Sequence, residues 1–182
     1  MTAMVIIVAG MARVMEVEFG ITGALFAVLF AIHGLGVVIG QIANHWLIGR
    51  IGTVASASSA AALMTAATAV LAVTAAMDWL SGIGLAAGVF VFAIGYLMVY
   101  ANAASMTLEP HGEIAGFTAA FYGFFGQATS AILASVAIGL FGGSALGFAL
   151  ALLLICTLTL LALLGWLRAK CPADAIGAQP TA

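Results

Sequence analysis

Residues 19–49 read FGITGALFAVLFAIHGLGVVIGQIANHWLIG, an unbroken run without a single Asp, Glu, Lys or Arg. A bilayer core about 30 Å thick is crossed by roughly 20 apolar residues in a helix. The run is long enough for one crossing and too apolar for a soluble core element. Outward from it the pattern recurs: Ile51 to Met77 and Trp79 to Leu108 each hold one crossing, and Ile114 to Leu167 holds two. Charge is confined to Arg13/Glu16/Glu18, Arg50, Asp78, Glu109/Glu113 and a polar tail from Arg168. The expectation is a polytopic membrane protein.

Composition agrees. With 65% hydrophobic and 5% charged residues, the 182-residue chain has too little polar surface to solvate a soluble domain. A net charge of −2 without a Lys/Arg cluster argues against nucleic acid as a partner. Cys156 sits inside the last apolar run and Cys171 about 22 Å further along if helical, so neither a disulfide framework nor a metal site is expected. Met1 to Gly10 lacks the positive start of a signal peptide and reads as part of a membrane helix.

Runs rich in Ala, Leu, Ile and Val without period-2 alternation specify helices rather than a barrel. The expected fold is an all-α membrane protein with five complete spans, at about 21–48, 54–77, 80–105, 114–140 and 144–168, and a tail over 169–182. Ahead of them a partial helix over about 3–15 gives only about 20 Å, so the chain is expected to begin partway through a sixth span. Placing Arg50 on the cytoplasmic side puts Met106 to Glu113 and the Arg168/Lys170 tail there too, with Glu16, Glu18 and Asp78 outside. Arg13 is the exception, and Glu16 at i+3 is its expected ion-pair partner. Six spans divide into two triplets of opposite starting direction, a plan that recurs in secondary transporters. GxxxG spacings at Gly36/Gly40, Gly84/Gly88 and Gly139/Gly143 suit close helix packing.

There is no HExxH, no GxSxG, no aspartate pair within a span and no Cys/His cluster, which argues against an enzyme. No metal or cofactor is expected. His33 is the one titratable side chain near the middle of a complete span. It either packs as a neutral imidazole against a neighbouring helix or takes part in a proton cycle. Gln41, Tyr96, Tyr100, Asn102, Tyr122 and Gln127 are uncharged polar groups within or near spans, suited either to lining a cavity or to bonding between helices. Phe90, Phe92, Met98, Phe121, Phe124 and Phe125 add adaptable apolar surface. Arg50 falls just past an expected helix end, where the helix dipole favours a cation, and Gly49 and Gly52 permit a tight turn. Pro110 is expected to stop one helix and Glu113 to cap the next.

Two stretches resemble the C-terminal half of major facilitator superfamily transporters, in particular the bicyclomycin- and chloramphenicol-resistance branch of drug:proton antiporters. The first is Phe19-Gly20, a long span, then Gly40-x-x-x-Asn44-His45 and Arg50-x-Gly52. The second is Ala101-Asn102-Ala103-Ala104, Leu108-Glu109-Pro110-His111, Ile114-Ala115-Gly116, and Gly123 with Gln127. The resemblance covers nearly the whole chain. It implies half of a twelve-helix fold in a bacterial inner membrane, with a cytoplasmic C-terminus, exporting a small lipophilic substrate against protons. Its partners would be the lipid bilayer and a separate N-terminal six-helix half or a second copy of this chain. On this likeness His33, Gln41, Tyr96, Tyr100, Asn102, Tyr122 and Gln127 are candidates to line the substrate cavity. Asn44, Arg50, Glu109 and Glu113 are candidates for a cytoplasmic junction or gate. The chain departs from the pattern at His45, where the family usually has a basic residue. It also has no Asp or Glu at mid-membrane in a complete span, the acidic group linked to proton coupling belonging to the other half. The alternative is a non-transporting membrane subunit or assembly protein joined through its glycine faces.

Overall fold

The computed structural model describes residues 1–141 and 143–170, the side chains of 110–112 and 167–170 excepted. The expected tail, with Cys171, and the roles expected of the His111, Arg168 and Lys170 side chains lie outside the described residues. Six helices follow in order: α1 (Thr2–Phe19), α2 (Gly23–Ile51), α3 (Thr53–Ala76), α4 (Gly82–Leu108), α5 (Ala115–Phe141) and α6 (Ala145–Lys170). A 3-10 helix, Glu109–Ile114, joins α4 to α5, and no strand occurs among the described residues. Helices α2 to α6 are each long and apolar enough to cross a membrane. The chain is an all-α membrane protein.

The ends of these helices are set by local chemistry more than by charge. Helix α1 runs through Arg13, Glu16 and Glu18 and so exceeds the expected partial helix, reaching about 27 Å. Gly20 stops it, in the left-handed region at φ 63°. Likewise α2 continues over Arg50 to Ile51 and ends only at Gly52, φ 81°. At the end of α3 the chain turns at Asp78, φ 55°, with the Trp79 amide donating to the Thr74 carbonyl (2.9 Å) and the Asp78 amide to Ala75 (3.2 Å). That pairing is a Schellman closure, with a short polar residue tolerating the left-handed position. Ser81 then starts α4 by accepting from the Gly84 amide at 3.1 Å.

Helix α4 packs against α3 and α2; α3 packs against α6; α1 packs against α5 and α6. Exchanging α1 with α4, α2 with α5 and α3 with α6 turns these pairs into one another. Thus α3–α4 becomes α6–α1, α2–α4 becomes α5–α1, and α3–α6 is its own image. The second triplet of helices therefore repeats the packing plan of the first. Alternating directions make α2 parallel to α4, and the contacts advance together along both: His33 meets Val89, Gly36 meets Phe90, Gly40 meets Ile94 and Asn44 meets Asn102.

Those four residues are the buried ones of α2. A Cβ at Gly36 would lie 2.7 Å from the Phe90 carbonyl oxygen, and one at Gly40 would strike the Ile94 carbonyl. Close backbone approach is what replaces the hydrophobic drive between helices in lipid. Of the other glycine pairs, Gly88 accommodates Leu71 of α3 while Gly84 faces its own N-cap, Ser81. Gly139 faces open space and Gly143 faces Arg13, so the last pair does not join two helices.

The expected Arg13–Glu16 ion pair is absent among the described residues. The Arg13 guanidinium instead lies along Gly143 at the α5–α6 turn, its Nε 3.0 Å from where a Cβ would stand. Glu18 Oε1 accepts from the Ala145 amide at 2.8 Å. With the Gly147 amide donating to Ser144 Oγ at 3.0 Å, this satisfies two amides of the first turn of α6 and sets a carboxylate at the positive end of its dipole.

Candidate functional site

Tyr96 and Tyr100 stand one turn apart near the middle of α4, and their rings lie almost parallel, 6.2 Å between centroids at 14°. Phe92 extends the row one turn back, 5.9 Å from Tyr96 at 18°. Spacing of four residues puts all three on one helix face. Tyr122 of α5 continues the row across the interface, 6.1 Å from Tyr100. The row borders an open hollow between α1, α4 and α5.

Three adjoining spaces make up that hollow. One, about 400 Å³, is walled by Met4, Val5 and Val8 of α1 with Tyr96, Tyr100 and Gln127. A narrower part of about 190 Å³ runs past Tyr96, Tyr100 and Tyr122 towards Met64, Cys156 and Thr159. A wider part of about 580 Å³ opens along α5 between Tyr122, Thr118, Phe121, Phe125 and Ser130. Thr2 of α1 ties down this edge by donating to Ser130 Oγ at 3.2 Å. Of the sequence candidates, Tyr96 and Tyr100 border two of these spaces, sharing one with Gln127 and the other with Tyr122. Among the described residues, their three hydroxyls and one amide have no hydrogen-bond partner. Gln127 is exposed at mid-helix.

The remaining candidates go elsewhere. His33 is 3% exposed in the α2–α4 interface, its Nδ1 3.3 Å from the Val89 carbonyl and its Nε2 without a partner. It packs beside Phe30, 5.7 Å between ring centroids. Gln41 is half-buried on α2, outside the walls of the hollow. Asn102, expected to line a cavity, is buried in a polar node instead. Its Nδ2 donates to Asn44 Oδ1 at 2.9 Å, Asn44 Nδ2 donates back to Asn102 Oδ1 at 3.3 Å, and Ser56 Oγ of α3 donates to Asn44 Oδ1 at 2.8 Å. An amide in hydrocarbon is costly until paired, and these two pair with each other. Asn44, expected at a junction or gate, is the centre of that node, and Ser56 is the member that sequence reasoning missed.

Arg50 stacks on the Trp46 ring, 3.4 Å from guanidinium carbon to ring centroid, a cation–π contact four residues apart on α2. Glu109 and Glu113 are both exposed on the 3-10 helix. Of the aromatic candidates, Phe121 and Phe125 lie 4.2 Å apart on the wall of the hollow. Phe92 and Met98 are buried, and Phe124 faces outward.

A second cleft, about 480 Å³, lies between α3 and α4 beside Val70, Trp79 and Gly88. Its polar residues are already engaged: Thr74 Oγ1 donates to Val70 O and Ser81 Oγ accepts from Gly84. Its remaining donors are the Trp79 indole and the Ser81 hydroxyl, at one end of the cleft, whereas the tyrosine-lined hollow has four unpaired polar side chains. No family model, curated protein or solved structure matches the chain. Fold and site define a helical membrane protein with an aromatic-lined hollow between its helices.

Proposed function

We propose that this chain is one six-helix half of a secondary transporter, and that the hollow bounded by Tyr96, Tyr100, Tyr122 and Gln127 forms part of its substrate path. One observation carries the reading. In a bundle whose buried polar side chains are nearly all paired, these four unpaired polar side chains, half-buried or exposed, border adjoining open spaces. Facing hydrocarbon, an unpaired amide alone would cost on the order of several kcal/mol; facing water or a ligand it costs little. The exchange relation among the helix pairs adds support, because an inverted triplet repeat is a recurring transporter plan. Stacked aromatic faces favour a lipophilic organic cation, attracted by ring quadrupoles and by apolar burial.

In this reading the Arg50 end is cytoplasmic and the membrane is a bacterial inner membrane, as the resemblance to drug:proton antiporters implies. The coupling proton is carried outside the hollow, whose walls hold no carboxylate among the described residues. The transport unit is completed by a second six-helix half or a second copy. The test is reconstitution into vesicles, alone and with a candidate N-terminal half, following proton-driven efflux of a fluorescent cation. Efflux that needs the second half and weakens on loss of Gln127 supports the reading. Efflux from a monomeric single chain, or no efflux with any partner, overturns it.

A further inference from the structure

A cleft of about 250 Å³ opens between α1, α5 and α6 near the α5–α6 turn. Ile6, Val14, Ile138 and Phe148 give it hydrocarbon walls, and among the described residues Arg13 is the one charged side chain that lines it. From Ile6 to Val14 the slot follows about 12 Å of helix. A single leaflet of the hydrocarbon core is about 15 Å deep, so the slot matches most of the depth of one acyl chain.

Arg13 sits at the polar mouth of this slot, level with the turn at Gly143, and is exposed on its outer side. It has no ion pair or hydrogen bond among the described residues. The two nearby carboxylates do not neutralise it: Glu18 is engaged by the Ala145 amide, and Glu16, also exposed, makes no pair with it. A guanidinium is a planar donor fork matched to phosphate oxygens. An unpaired fork at the bilayer boundary, directly over an apolar slot, is complementary in charge and in shape to a phospholipid.

We propose that this cleft binds one phospholipid, with its phosphate on Arg13 and one acyl chain lying between α1, α5 and α6. The site is separate from the tyrosine-lined hollow and does not depend on a transport function. The detergent-solubilised full chain is titrated with dioleoylphosphatidylglycerol, and bound lipid is counted by native mass spectrometry. One lipid is expected to bind in preference to further ones. Arg13→Gln should weaken that first binding roughly tenfold, the scale of one charge-assisted hydrogen bond. Ile138→Trp, which fills the slot, should weaken it comparably, with melting temperatures of both variants confirming that each is folded. Glycerol phosphate at millimolar concentration should fail to compete, because the acyl chain supplies the rest of the binding. Unchanged affinity in either folded variant overturns the site. Competition by glycerol phosphate as effective as by intact lipid reduces it to an anion contact and overturns the lipid assignment. If either variant unfolds, protection of Ile6 to Val14 from hydrogen exchange by added lipid in the unaltered chain decides. Protection there supports the site, and its absence overturns it.

Discussion

Asn44 and Asn102 face each other across the parallel α2–α4 interface and exchange two hydrogen bonds, at 2.9 and 3.3 Å, while Ser56 of α3 donates to the same Asn44 oxygen. Three helices are thus joined near one end of the bundle by side chains 4% exposed or less. With no water to compete, breaking this node strands polar atoms; keeping it fixes the register of α2 on α4.

Asn102→Ala should therefore destabilise the protein by about 1–2 kcal/mol, the upper range for interhelical hydrogen bonds in membranes. Asn44→Leu with Asn102→Leu together should cost less than the sum of the single changes, since neither partner is then left unpaired. Unfolding in mixed micelles, monitored by circular dichroism, measures both.

Gly40→Ala should be more damaging than its one added methyl suggests. The new Cβ meets the Ile94 carbonyl, and backbone cannot swing aside as a side chain can. A loss of about 1–3 kcal/mol is expected. Gly34→Ala, six residues earlier and in open space, should be neutral or slightly stabilising through better helix propensity.

His33→Leu removes an imidazole whose Nδ1 faces the Val89 carbonyl and whose Nε2 has no partner. A stability change within about 1 kcal/mol is expected, since the one lost bond is offset by removal of a buried unpaired nitrogen. In an assembly that transports, the pH profile of efflux should be unchanged, as His33 lies outside the hollow. A displaced profile would return His33 to a proton-carrying role.

Tyr100→Phe and Gln127→Leu remove polar ends from the hollow while keeping much of its shape. Each should lower the apparent affinity for a lipophilic cation by about three- to tenfold, the worth of one hydrogen bond. Tyr100→Ala, which also interrupts the stacked row, should lower it further. Vesicle efflux as a function of substrate concentration reads both effects, with Gln41→Leu as the control outside the hollow.

Glu18→Ala should unseat the start of α6 and cost about 1 kcal/mol, while Glu18→Gln, which can still accept from the Ala145 amide, should lose roughly half of that. Hydrogen exchange of the Ala145 to Phe148 amides localises the change.

Charge and length alone placed the spans, because the cost of an ion in hydrocarbon makes each charged island a helix boundary or a loop. The described helices begin and end within a few residues of the expected ones; α1 and α2 run on until Gly20 and Gly52, rather than a charge, stop them, and α4 runs on to Leu108. In the same way the α2–α4 approach through Gly36 and Gly40 was legible as a spacing. The helix faces were not. A soluble helix betrays its inner face by polar residues on the other, but here lipid-facing and core-facing positions are equally apolar, as Val38 beside buried Gly36 and Gly40 illustrates. Asn102 and Tyr100 lie two residues apart and read alike as polar groups in a span. Only the tertiary structure turned one into a three-helix node and the other towards a hollow, because a helix swings side chains about 100° per residue and the partners that receive them, Asn44 and Tyr122, come from distant helices.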